Sequence, residues 1–260
     1  MAYKTIQITH KDKVGILALN RPSHRNALNH ELAQEIYAGL LQLDQDPKVN
    51  VIVLTSAVPG VFCAGGDLAE HAACGTDFYG HQEAFGLASL PWRLIPKMRK
   101  MVIASVDGFV LAGGCGLAVA CDLVVSSDRA VFGLVEINVG IFPAAVAPVI
   151  IRAVGVRKFL ELATTGDQID AQEALRIGLI SRVVPQEELE QSTMALAQKL
   201  ARKSPATLQA SKSQVYALAQ MDFDGAVALG RDLVATLAGT PDGREGMAAF
   251  LEKRKPVWQS

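Results

Sequence analysis

The sequence predicts an α/β fold, and three observations carry that prediction. Runs rich in valine and isoleucine, each of strand length, recur at VGILALN (14–20), VIVLTS (51–56), MVIASV (101–106) and LVVSS (123–127). Between the first two, Leu32, Ile36, Leu40 and Leu43 share one face of a helix period, and Asn29 stands where an N-cap belongs. From about Pro185 the pattern turns to long helices without strands. Strands alternating with helices are the mark of α/β architecture.

The later elements follow from local signals. Asp170 with Glu173 has the spacing of a capping box, opening the short helix AQEALRIG, which Gly178 closes. Ser204-Pro205, inside ARKSPATL (201–208), breaks the helical run and is the best candidate boundary in the chain. Two further helical stretches lead to the charged tail AAFLEKRKPVW. There is no repeat of fixed period and no low-complexity segment.

Composition removes several classes. Of 260 residues 50% are hydrophobic and 20% charged, enough for a substantial core, and the net charge of −1 gives nucleic acid or an acidic membrane no footing as a partner. The start, MAYKTIQITHKDK, lacks the apolar block of a signal peptide. INVGIFPAAVAPVII is too short and too interrupted, by Asn138, Pro143 and Pro148, for a membrane span. Cys63, Cys74, Cys115 and Cys121 form no CxxC pair and have no histidines at zinc spacing. The expectation is a cytoplasmic protein with reduced thiols and no metal.

The chemistry-bearing pattern is a pair of glycine turns. FCAGGDL (62–68) and LAGGCGL (111–117) share an Ala-Gly-Gly core, each after a strand and before a helix. Such turns let backbone approach a ligand closely and leave N–H groups free where the helix starts. Two of them can aim two donors at one oxygen, which is the construction of an oxyanion hole; each is equally readable as a tight strand-to-helix turn. Neither has the GxGxxG spacing or a following GKS or GKT, and the chain has no GxSxG. Dinucleotide, ATP and serine-hydrolase readings therefore fall away.

At these residues the sequence is similar to the enoyl-CoA hydratase/isomerase (crotonase) family. The resemblance runs end to end through LNRPSHRNALN (19–29), VFCAGGDLAE (61–70), ASVDGFVLAGGCGLAVACDLVVSS (104–127), FGLVEINVGIFP (132–143), TTGDQIDAQEALRIGLISRVVP (164–185) and GMAAFLEKRKPVW (246–258). It implies a spiral of ββα units over residues 1–203, carrying an acyl-CoA site, and a helical region over 204–260 used for assembly as a homotrimer or a hexamer. It places the two oxyanion-hole N–H groups at Gly66 and Gly113, gripping a thioester carbonyl that takes up charge as an enolate. Coenzyme A enters as part of the substrate, with no tightly bound cofactor. Its contacts in the family fall near Arg25, Ala27, Leu28, Ala64 and Asp67, and on Phe250 and Lys253 of the tail, often reaching a neighbouring subunit.

Hydratases of the family carry two glutamates. The first position is Gly116 here, and the second aligns with Glu136. By pattern alone Glu136 is either a carboxylate buried among Val135 and Ile137 or the exposed position of an alternating strand; the resemblance favours the first. One base suits double-bond migration, in which a proton leaves one carbon and returns two carbons away, so an isomerase is expected. Two other readings stand beside it: a hydratase pairing Glu136 with a group outside the usual pair, and a non-catalytic thioester-binding protein. Glu70, His71, Asp77, His81 and Glu83 read either as solvated loop residues or as groups that stand in for the missing carboxylate, with Glu70 and His71, nearest the first turn, the first candidates for that second role. GIFPAAVAPVII (140–151) departs from the family's G..P..GG pattern, with alanines at 144 and 145 and no Gly-Gly. That segment borders the acyl pocket.

Overall fold

The structure, a computed structural model, describes residues 3–75 and 77–259. Its first element pair is an antiparallel hairpin of β1 (Ile6–Lys11) and β2 (Val14–Leu19), with Ile6 opposite Leu19 and Lys11 opposite Val14. The largely polar ITHK segment hid β1 from the sequence pattern.

From there the chain winds in a spiral whose turns each supply two strands: β3 (Val51–Ser56) and β4 (Val61–Cys63), then β5 (Met101–Val106) and β6 (Phe109–Leu111), then β7 (Leu123–Ser127) and β8 (Val131–Gly133). The pairs split between two sheets. First members lie parallel beside β2, and β10 (Arg182–Val184) closes a six-stranded sheet in the order β1-β2-β3-β5-β7-β10. Second members form a parallel run β4-β6-β8, which β9 (Gln168–Asp170) closes antiparallel.

Helices fill the connections. They are α1 (His30–Gln45), α2 (Leu68–Ala73), α3 (Phe78–Ala88), α4 (Leu90–Leu94), α5 (Gly113–Val119), α6 (Ala147–Thr165), α7 (Ala171–Arg176) and α8 (Leu189–Ala201). Asn29 caps α1 by accepting from the Leu32 N–H, and Leu32, Ile36, Leu40 and Leu43 are fully buried on its inner face. Each such side chain contributes about 1.5–3 kcal/mol by leaving water. On the opposite face of the large sheet, α8 sets Leu189, Met194, Leu196 and Ala197 against Val14, Val51, Val53, Ile103 and Val125. Strands covered on both faces read as unbroken apolar runs, which is why VIVLTS and MVIASV show no alternation.

The Asp170–Glu173 capping box is only half built. Asp170 accepts from the Glu173 N–H, but the Glu173 carboxylate turns away to Arg176, with contacts of 2.6 and 2.7 Å. The guanidinium supplies two charged donors where the box offers one amide. Beyond α8, Ser204 caps α9 (Pro205–Leu218), followed by α10 (Phe223–Ala238) and α11 (Pro241–Leu251). Among the described residues no helix is long and apolar enough to cross a membrane.

Candidate active site

The spiral sets three chain segments side by side. β4, β6 and β8 are neighbours in the small sheet, and Gly66, Gly113 and Glu136 each lie just past the carboxyl end of one of them. That end of parallel strands is where ligand crevices form. All three residues line one cavity of about 140 Å³, enclosed mainly by apolar side chains such as Leu68, Phe85, Ile141 and Val146.

Two other glycines bring the turns into contact. Gly65 has φ +107, and a Cβ there would stand 2.7 Å from the Cβ of Ala112 in the opposite turn. A Cβ on Gly114 would stand 2.5 Å from the Cys63 carbonyl oxygen. Ala112 takes φ +51, a conformation costing a non-glycine residue about 1–3 kcal/mol, which the surrounding contacts enforce. Among the described residues neither the Gly66 nor the Gly113 N–H donates to a backbone carbonyl. In the bridge to Leu28 the donors are the amides of Leu28 and Asp67, not that of Gly66. Gly113 opens α5, where an amide has no partner within the helix.

Glu136 is not on a strand. It sits in a 3-10 turn, Val135–Val139, with Oε2 buried and without a hydrogen-bond partner among the described residues. Burial pushes its carboxyl above the usual glutamate range, opposed only by its own backbone N–H. At Gly116, the first of the two carboxylate positions, the space is taken: a Cβ there would meet Val146 Cγ1 at 2.5 Å. Burial pushes the Cys63 and Cys115 thiols up to about 12, so neither supplies a thiolate.

His71 departs most from its sequence reading. It lies on α2, is only 7% exposed, and stacks on Phe85 with ring centroids 4.2 Å apart. It lines the cavity, with Nε2 3.1 Å from where a Gly66 Cβ would be. Burial lowers its pKa, opposed by Glu70 and Asp67, so the neutral imidazole is favoured. The signal was available: Asp67 and Glu70 have N-cap spacing, and Asp67 does cap α2, which carries His71 inward. Trp92, on α4, also lines the cavity and gave no signal in the sequence. Of the other polar residues of that stretch, Glu83 is exposed and three serve structure. Glu70 accepts from the His30 N–H at the start of α1, Asp77 caps α3, and His81 bonds the Gly75 carbonyl.

The residues singled out for coenzyme A are divided. Leu28 and Ala64 line the cavity; Arg25 and Ala27 stand in the adjoining loop, where the Arg25 carbonyl accepts from the Ala64 N–H at 3.1 Å. Asp67 is committed elsewhere, to Arg21 at 2.7 Å and to the α2 amides. Burial works against its charge, yet those hydrogen bonds hold it below the usual carboxylate range. Phe250, 83% exposed, and Lys253 sit at the end of α11 and do not line the cavity of their own chain.

Backbone N–H groups without a backbone partner and a half-buried carboxylate on one apolar cavity are groups of the kind that acid–base enzymes use to hold an oxyanion and move a proton. Comparison with known proteins gives that class a family. The model of the family described as Enoyl-CoA hydratase/isomerase matches residues 9–260. A probable mitochondrial enoyl-CoA hydratase of Dictyostelium discoideum is 36% identical over 252 residues, covering 96% of this chain and 89% of that one. A crotonyl-CoA hydratase of Syntrophomonas wolfei is 36% identical over 256 residues, covering 98% of each. The crystal structure of human enoyl Coenzyme A hydratase domain-containing protein 3 superposes with a TM-score of 0.93 at 34% identity, covering 98% of this chain and 100% of that one. The chain belongs to the enoyl-CoA hydratase/isomerase family, and its fold is the crotonase fold.

Proposed function

We propose that the protein acts on enoyl-CoA thioesters by proton transfer through Glu136, and that double-bond migration is its principal reaction. The observation that carries this reading is that Glu136 is the one carboxylate among the described residues lining the cavity. In a 3-enoyl thioester the Glu136 carboxylate takes a proton from C2. The electron pair moves onto the carbonyl oxygen, held by the Gly66 and Gly113 amides, and the proton returns at C4. Each amide is worth about 2.7–4 kcal/mol to such a charge. Coenzyme A is bound as part of the substrate along the Arg25–Leu28 loop and Ala64, with Phe250 and Lys253 completing the site of a neighbouring subunit. Four free cysteines accord with a cytoplasmic, reducing setting.

A second reading, hydration, is favoured by the hydratase names of the relatives and by His71 in the same cavity. One assay separates them: 2-enoyl-CoA and 3-enoyl-CoA of several lengths, scored independently for water addition and for migration. Glu136→Gln is expected to lower the turnover of whichever reaction occurs by about 10²–10⁴-fold, with thioester affinity retained. Unchanged turnover in that variant refutes the single-base mechanism. Absence of any turnover by the wild type leaves only a binding role.

A further inference from the structure

Gly66 and Gly113 are not held alike. Gly113 is the first residue of α5, so the helix itself fixes the direction of its N–H. Gly66 precedes α2 by two residues, and glycine has the widest choice of backbone dihedrals, so its direction must be fixed from outside. One side of the turn is tied to Leu28. The Leu28 N–H donates to the Gly65 carbonyl at 2.7 Å, and the Asp67 N–H donates to the Leu28 carbonyl at 3.0 Å. The Gly65 carbonyl and the Gly66 N–H belong to one planar trans peptide, so that N–H points away from the Leu28 amide.

The other side rests on His71. A Cβ at Gly66 would lie 3.1 Å from Nε2 and 3.4 Å from Cδ2 of that ring, so the imidazole edge lies against the glycine. α2 carries the ring there in a single turn: the Asp67 side chain caps the helix, and the Asp67 carbonyl accepts from the His71 N–H at 3.1 Å. One face of the ring is covered by Phe85 of α3, with centroids 4.2 Å and planes 14° apart. Nδ1 has no hydrogen-bond partner among the described residues, so packing orients the imidazole. A histidine that carries protons is instead oriented by a hydrogen bond to its second nitrogen. Burial favours the uncharged ring, which suits a packing surface.

We infer that His71 is a positioning residue, whose ring, seated between Phe85 and Gly66, sets the direction of the Gly66 N–H and with it the polarisation of the thioester carbonyl. This rests on reading the cavity as an acyl-CoA site with Gly66 as an oxyanion donor. His71 then touches no reacting atom and serves migration and hydration alike. α2 and α3 become the support of the first donor as well as a wall of the cavity.

The test reads the carbonyl directly. Difference infrared spectra of bound butyryl-CoA, isotope-labelled at the thioester carbonyl, are recorded for the full-length wild type, His71→Ala, His71→Met and Phe85→Ala. Values of kcat and KM are measured alongside on 2-butenoyl-CoA and 3-butenoyl-CoA. The wild type is expected to lower the carbonyl stretch relative to the free ligand. His71→Ala should return it toward the free value and lower kcat by about 10²-fold, the cost of a misplacement of about 1 Å, with KM little changed. His71→Met refills the space with an apolar side chain of similar volume and should recover most of both losses. Phe85→Ala, at a half-buried position, should shift the stretch in the same direction by less. A stretch equal to that of the wild type in folded His71→Ala, or in Phe85→Ala where His71→Ala does not fold, overturns the proposal. A fall in kcat would then make His71 a proton carrier, and an unchanged kcat would leave it a wall. Losses that His71→Met fails to recover overturn it too. If the wild type does not bind butyryl-CoA, or leaves its carbonyl stretch unshifted, the acyl-CoA reading itself fails.

Discussion

Glu136 holds its proton to higher pH than the unfolded chain does, because burial penalises the charged form. Two consequences follow from that shift. The basic form needed to remove a proton is lost as pH falls through the raised value, so kcat/KM should show an acid limb above the ordinary glutamate range that disappears in Glu136→Gln. Stability runs the other way: as pH climbs from the unfolded value through the folded one, the folded state must shed a proton it prefers to keep. Glu136→Gln should therefore raise the melting temperature more at pH 8 than at pH 4, as scanning calorimetry at both pH values would check; an equal shift would show Glu136 to be solvated. At this scale the sequence exposed the glycines and the glutamate that line the cavity, since glycine pairs and a lone acid in an apolar run are conspicuous. It hid the burial of His71 and the place of Trp92, which depend on which wall their helices turn toward. It also hid the close approach of the two turns, which Gly65 and Gly114 permit.

Between elements, the least expected contact fastens α9 to the core. Lys212 is 4% exposed and donates to Asp122 at 2.7 Å and to the Lys100 carbonyl at 3.0 Å, while Asp122 also accepts from the Val102 N–H and from Tyr216. Removing one partner of a buried pair leaves a charge without compensation, at a cost of about 3–5 kcal/mol. Lys212→Met should lower unfolding free energy in urea by that amount, and Asp122→Asn added to it should recover part; a loss below 1 kcal/mol would show the pair to be hydrated. The long apolar strands were legible as unbroken valine- and isoleucine-rich runs and α1 by its helical period, whereas the six residues of β1 were too polar to show. The three-residue strands β4, β6 and β8 are too short for that and are fixed by their neighbours in the sheet. The spiral repeat was equally hidden, because one turn carries the extra helices α3 and α4 and the next carries only α5, so no constant spacing survives. The shared Ala-Gly-Gly core was its one visible trace.

For the molecule as a whole, the C-terminal helices are unfinished in a single chain. α10 buries none of its residues, and Phe223, Val227 and Val234 are 80%, 56% and 67% exposed. Val215, Phe250 and Leu251 extend that apolar exposure onto α9 and α11. Exposed apolar surface on this scale marks an interaction face. The expected assembly is a homotrimer or its doubled hexamer, and sedimentation equilibrium at micromolar concentration should give a multiple of three chains. A monomer would contradict it and would leave Phe250 and Lys253 without a site to complete.

The contact between Gly116 and Val146 has a consequence for engineering. With Val146 Cγ1 2.5 Å from where a Gly116 Cβ would stand, any side chain at 116 needs Val146 to give way. Gly116→Glu alone would strike Val146 before it could contribute any chemistry, and Val146→Gly alone would open a void beside Gly116. A second carboxylate at 116 is therefore reached only as a paired change, with the smaller residue at 146 and the glutamate introduced together.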